Sequence, residues 1–200
     1  MNMLASNKYG IEPGNNRLAF LRAILRCCEE TEVHGGGYPL EQIKLERGLS
    51  LAREMFKFAH AAGRKLVFIG NGGSAAIASH FAVDYTKNGG IRAMALNDAA
   101  TLTCFANDYG YEQVFAKQIE AHGFPGDVAV IVSTSGTSRN ILAAASAAKN
   151  ARCEVVTFSG MRPDNALRRF GSLNFYVPAG DYGLVECAHT NLLHSMVSIP

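Results

Sequence analysis

VAVIVSTSGTSRNILAAASAAK, Val128 to Lys149, is the stretch on which the fold reading turns. Five apolar residues, Val128 to Val132, are too few for a helix of ordinary length and suit a strand buried on both faces. Ile141 to Lys149 is alanine-rich and helix-forming. Between them STSGTS packs three serines, two threonines and a glycine into six positions, Ser133 to Ser138. A strand that gives way to a helix through a short polar turn is one half of a βαβ unit.

The same pattern repeats outward. Apolar runs at Lys65–Ile69, Ala93–Leu96, Glu154–Phe158 and Leu173–Val177 are separated by helical segments. Strands alternating with helices make a parallel sheet covered on both faces. The expected fold is therefore α/β, a doubly wound five-stranded parallel sheet of the flavodoxin-like kind, preceded by two N-terminal helices. Residues 1–16, with Gly10, Pro13 and Gly14, are expected to form a flexible arm. Leu18, Leu21, Ile24, Leu25 and Cys28 predict a first helix over Arg17–Thr31. After the break at Gly35-Gly36-Gly37, a second helix is predicted from about Pro39, at its first turn, to Ala62. Residues 17–62 thus hold the helices and 63–198 the α/β core of a single domain.

Composition narrows the function. With 19 Lys and Arg against 17 Asp and Glu, the net charge is +2, giving no basic surface to draw nucleic acid. No apolar run approaches the roughly 18–20 residues that span a bilayer, so no membrane partner is expected. The first residues include Lys8, Glu12 and Pro13 and form no signal core. Five cysteines, an odd number with no CxxC, suit a reduced, cytoplasmic chain.

In open α/β sheets ligands lie beyond the C-terminal strand ends. The serine-rich turn stands there, ahead of a helix N-terminus whose free N–H groups attract anions. A single Ser, Thr, Asn or Asp suffices as a helix cap; four or five hydroxyls point to a phosphate. A second turn, IGNGGSAA over Ile69–Ala76, fits the dinucleotide spacing G-x-G-x-x-A, with Asp98 as a possible ribose ligand. Two short polar turns nevertheless suit a small phosphorylated ligand better than a dinucleotide.

Two helices carry paired imidazoles and carboxylates. His80 and Asp84, four apart, share a face. Glu186 and His194, eight apart, project about 80° from each other. His34, His60 and His122 lack such a partner and are expected to be packing or surface residues. His189, one turn from Glu186, is a possible supporting group.

The segments GNGGSAAIASHFAVDYT, ALNDAATLTCFANDYGYEQVFAKQIEAHGFPGDV, STSGTSRNIL and ECAHTNLLH together resemble the sugar isomerase (SIS) family, and within it the phosphoheptose isomerases. The resemblance runs from about Lys65 to Met196. It implies an aldose–ketose isomerase that converts sedoheptulose 7-phosphate to a heptose 7-phosphate for lipopolysaccharide or capsule. It implies substrate contacts at Asn71, Gly72, Gly73, Ser74, Asn107, Asp108, Ser133, Thr134, Ser135, Ser138 and Glu186. It also implies one zinc ion on His80, Asp84, Glu186 and His194, Asp84 as the base with His194 as its acid/base partner, and a homotetramer with sites at subunit interfaces. Two of these positions depart from the family: Asp84 stands for a glutamate and Glu186 for a glutamine. The segment after Asp84 is also short and lacks the family's basic residue, for which Lys87 is the nearest substitute. An isomerase of another sugar phosphate and a non-catalytic sugar-phosphate-binding module are the other readings.

Overall fold

Val128, Val130 and Val132 face one side of a central sheet, while Ala129 and Ile131 face the other. That period of two divides the protein into two apolar layers. The computed structural model describes residues 17–35 and 41–198, so the predicted arm and Pro39 lie outside the described residues.

The strands are β1 (Glu32–Gly35), β2 (Glu41–Ile43), β3 (Leu66–Ile69), β4 (Ala93–Ala95), β5 (Val128–Ser133), β6 (Glu154–Ser159) and β7 (Leu173–Tyr176). The helices are α1 (Arg17–Glu29), α2 (Leu45–Ala61), α3 (Gly73–Lys87), α4 (Ala99–Tyr109), α5 (Val114–His122), α6 (Arg139–Asn150) and α7 (Tyr182–Ser198). The sheet order is β2-β1-β7-β6-β5-β3-β4. β4, β3, β5, β6 and β7 are the five predicted parallel strands.

The sheet has two further strands. β1 pairs antiparallel with β7 and with β2, so residues predicted to open the second helix instead extend the sheet, and α2 starts only at Leu45. Val33 is fully buried, whereas Glu32 is retained at the edge by Arg168, whose Nη2 donates to Glu32 Oε2 at 3.0 Å. The Arg168 guanidinium also lies 4.2 Å above the Tyr176 ring. A buried arginine thus ties β1 to β7 where the local pattern is too short to announce a strand.

One layer is built by α1, α2, α3 and α7 around Phe56, Phe81 and Phe175. The other is built by α4, α5 and α6 around Ile69, Phe115 and Ile141. The chain moves from β3 outward to β4, then crosses back to β5 on the other side of β3. The adjoining C-terminal ends of β3 and β5 are therefore the topological switch point, where α/β sheets bind ligands. The two polar turns issue from those two ends.

Candidate active site

Between the turns lies a cavity of about 260 Å³. Asn71, Gly72, Gly73 and Ser74 form one wall, and Ser133, Thr134, Ser135 and Ser138 form the facing one. Tyr182 and Glu186, from the first two turns of α7, close it. The structure thus brings together nine of the predicted contacts: both turns and Glu186.

Ser133 and Ser138 keep hydroxyl donors for a ligand, Ser135 Oγ accepts from Thr137, and Thr134 Oγ1 is turned into the protein. Ser138 occupies the N-cap position of α6, yet its side chain makes no cap hydrogen bond. Thr134 Oγ1 is buried without a hydrogen-bond partner. Ser133 Oγ only accepts, from the Gly136 amide at 3.2 Å, leaving its hydrogen to donate. The turn is more than a helix cap, since the one residue placed to cap does not do so.

The opposite wall is held by amides. Asn71 Nδ2 donates to Asn140 Oδ1 at 2.9 Å, and Asn140 Nδ2 returns a bond to Asn71 Oδ1 at 3.0 Å. Tyr111 adds its hydroxyl to the same Asn71 oxygen at 3.2 Å. Asn140, Tyr111 and Tyr182 were not among the expected site residues. Asn140 follows the serine turn directly, and its buried position, 3% exposed, was the missing information.

Glu186 reaches the first turn of α3. A Cβ placed on Gly73 would lie 2.6 Å from Glu186 Oε1 and 2.7 Å from Oε2, so any larger residue there would displace the carboxylate. An anion beside the first backbone N–H groups of a helix is favoured. Among the described residues no lysine or arginine, Lys87 included, lines the cavity.

His80, Asp84 and His194 meet farther along α3 and α7. His80 Nε2 is 3.3 Å from both His194 Nε2 and Asp84 Oδ2, and His194 Nδ1 is 3.6 Å from Asp84 Oδ2. Phe81, fully buried, meets the His194 ring edge to face at 4.7 Å and sets its angle. Asn88 Nδ2 donates to Asp84 Oδ1 at 3.2 Å, fixing the carboxylate. One ligand atom from each of the three lies within 4.8 Å of the others. Glu186 is not one of this set; it belongs to the cavity wall.

Asn107 and Asp108 are exposed in the last turn of α4 and bond to each other at 2.8 Å. Neither lines the cavity. Asp98 caps α4 by accepting from the Thr101 amide at 2.9 Å, and the Thr101 bonds hold its carboxyl below the usual range. It is a helix cap, which removes the ribose ligand of the dinucleotide alternative. His189 is fully buried and donates from Nε2 to the Ser159 carbonyl at 3.1 Å. His60 accepts from the Arg92 amide, and His34 lies beside Arg168.

A family model for the SIS domain matches residues 40–160. The chain belongs to the SIS domain family. Phosphoheptose isomerase from Geobacter sulfurreducens is 35% identical over 171 residues, 82% of this chain and 90% of that protein. The structure of phosphoheptose isomerase from Neisseria gonorrhoeae superposes with a TM-score of 0.76 at 31% identity, covering 90% of this chain and 93% of that one. A phosphoheptose isomerase from Francisella tularensis gives 0.78 at 26% identity, covering 100% and 98%. The fold is thus shared along nearly the whole length of the SIS chain. Among the described residues no helix is long and apolar enough to cross a membrane.

Proposed function

We propose that this SIS protein is an aldose–ketose isomerase acting on sedoheptulose 7-phosphate in the cytoplasm. The observation that carries the reading is the pairing of a hydroxyl-lined cavity at the switch point with a carboxylate beside two imidazoles on α3 and α7. A pure binding module has use for the first and none for the second.

The phosphate is held by Ser133, Thr134, Ser135 and Ser138 at the N-terminus of α6. Asn71, Ser74 and Glu186 meet the sugar hydroxyls. Asp84 takes the proton from C1 and returns it to C2. His194 gives a proton to the C2 oxygen and accepts the one leaving the C1 hydroxyl, so the proton count closes. Asp84 has one methylene fewer than the family's glutamate, so the reacting carbons must come closer to α3.

His80, Asp84 and His194 also suit a divalent ion such as zinc. Asp84 Oδ2 lies 3.3 Å from His80 Nε2 and 3.6 Å from His194 Nδ1, and one ligand atom from each of the three residues lies within 4.8 Å of the others, near enough to share one ion. When bound, the ion supplies Lewis-acid stabilisation of charge on the sugar oxygens.

The functional unit in this proposal is a homotetramer. Ser74 and Asp84 are ten residues apart, about 15 Å along α3, so cavity and cluster occupy separate stretches of one chain. Assembly brings the cluster of one copy to the cavity of another, with Asn107 and Asp108 joining a neighbouring site. Leu18, Leu21 and Leu25 form one stripe of α1, each more than half exposed, and suit burial against a second copy. Among the described residues the five cysteines form no disulfide. Incubating the purified protein with sedoheptulose 7-phosphate and following the anomeric signals by NMR tests the activity. New aldose signals support it, and an unchanged spectrum rejects it.

A further inference from the structure

Asn165 lies outside the cavity, in the loop after β6, yet it is only 3% exposed. Its Nδ2 faces three oxygens: the Arg162 carbonyl at 2.8 Å, the Gly160 carbonyl at 3.2 Å and Ser159 Oγ at 3.2 Å. A flipped carboxamide would set oxygen against two carbonyls, so the orientation is decided. Asn165 Oδ1 is thereby aimed at the serine turn, buried and, among the described residues, without a hydrogen-bond partner.

Its target is Gly136, at the centre of that turn with φ +63°. A Cβ on Gly136 would lie 2.1 Å from Asn165 Oδ1 and 2.5 Å from Cγ. With a Cα–Cβ bond of about 1.5 Å, Oδ1 is within about 3.6 Å of the Gly136 Cα, the range of a Cα–H···O contact. The next segment adds a bond from the Leu167 amide to the Gly136 carbonyl at 3.0 Å. On its other side the Gly136 amide donates to Ser133 O at 3.1 Å. Gly136 is clamped between the end of β5 and Asn165.

We propose that Asn165 is a positioning residue for phosphate recognition, holding Gly136 so that the hydroxyls on both sides of it converge on one anion. This inference rests on the phosphate reading of the cavity. The mechanism is geometric. Ser133, Thr134, Ser135 and Ser138 all lie within three residues of Gly136, so a shift there re-aims every donor at once. Asp84, His80 and His194 are on other elements and are untouched.

The test is Asn165→Asp, which keeps the shape but sets carboxylate oxygen against the Gly160 and Arg162 carbonyls. Calorimetry with inorganic phosphate and steady-state kinetics with sedoheptulose 7-phosphate are run beside thermal melting. Phosphate Kd and substrate KM are expected to rise at least about tenfold, with kcat at saturation within about threefold of wild type. A merely structural residue would lower the melting temperature and the active fraction without that split. Should Asn165→Asp not fold, Asn165→Ser reads the same split, because it removes the carboxamide oxygen that faces Gly136. Phosphate Kd and KM within twofold of wild type in either folded variant overturn the positioning role. If wild type itself binds neither inorganic phosphate nor sugar phosphate, the phosphate reading fails and this inference with it.

Discussion

Asn71 and Asn140 exchange two amide hydrogen bonds, at 2.9 and 3.0 Å, across the gap between the turns that follow β3 and β5. Each carboxamide uses one donor and its oxygen on the other, so the two walls of the cavity are fixed as a unit. Removing Asn140 strands the part-buried Asn71 Nδ2 donor, while Asn71 Oδ1 keeps the Tyr111 hydroxyl, at a cost of about 1–3 kcal/mol. Asn140→Ala is expected to lower unfolding free energy by that amount. It should weaken sugar-phosphate binding as well, because Asn71 is released. Denaturant titration beside calorimetry checks both, and a stability loss with unchanged affinity would separate Asn140 from the site.

Ser138 allows a cap to be told from a ligand contact. A lost N-cap hydrogen bond costs about 0.5–2 kcal/mol of stability, but Ser138 makes none. Ser138→Ala should leave the melting temperature nearly unchanged. Its donor to a phosphate is charge-assisted, worth roughly 1.5–3 kcal/mol, so affinity should drop about tenfold or more. The reverse pattern, lower stability with intact binding, would restore the cap.

Metal content separates the cluster from Glu186. Elemental analysis after purification without chelator should find about one divalent ion per chain, lost in His80→Ala and His194→Ala. Glu186→Gln should retain it, since the Glu186 carboxylate lies against Gly73 rather than within the three-residue set. Equal metal content in wild type and both histidine variants would remove the proposed site.

His189 gives stability a pH dependence of known sign. Burial pushes its imidazole down to about 4. Between that value and the ordinary 6.5 the unfolded chain binds the proton and the folded chain does not, so stability rises with pH. The full contribution is present above about pH 6.5 and is lost as pH falls toward 4. His189→Gln should flatten the stability profile over this window, measured by urea denaturation at several pH values. An equally steep profile in the variant would show that other groups carry the acid sensitivity.

The parallel sheet was legible because buried strands read as short apolar runs between helices, and both ligand turns because their donors are contiguous. β1 and β2 were not. Their four and three residues are too short to establish a period, and what ties β1 to β7, Arg168 on Glu32 and Tyr176, comes from 136 residues beyond Glu32 in the chain. His80, Asp84 and His194 were legible through helical spacing together with the family motif. Glu186 was placed with them by the motif, but eight residues of α7 carry it to the cavity instead. Asn107 and Asp108 fall on the exposed end of a helix where local pattern gives no tertiary destination. Asn165 had no signal at all, since its effect passes through Gly136, which only the folded chain brings beside it.

The central claim is that Asp84 moves a proton between adjacent carbons of a sugar phosphate. Wild type and Asp84→Asn are each incubated with sedoheptulose 7-phosphate in deuterium oxide, and NMR follows aldose formation and solvent deuterium entering at C1 and C2. Asparagine keeps the size and loses the base. Wild type is expected to form the aldose and incorporate deuterium, with both rates at least about 10²-fold lower in Asp84→Asn. Equal rates in the two proteins, or no isomerisation and no exchange by wild type, would contradict the account.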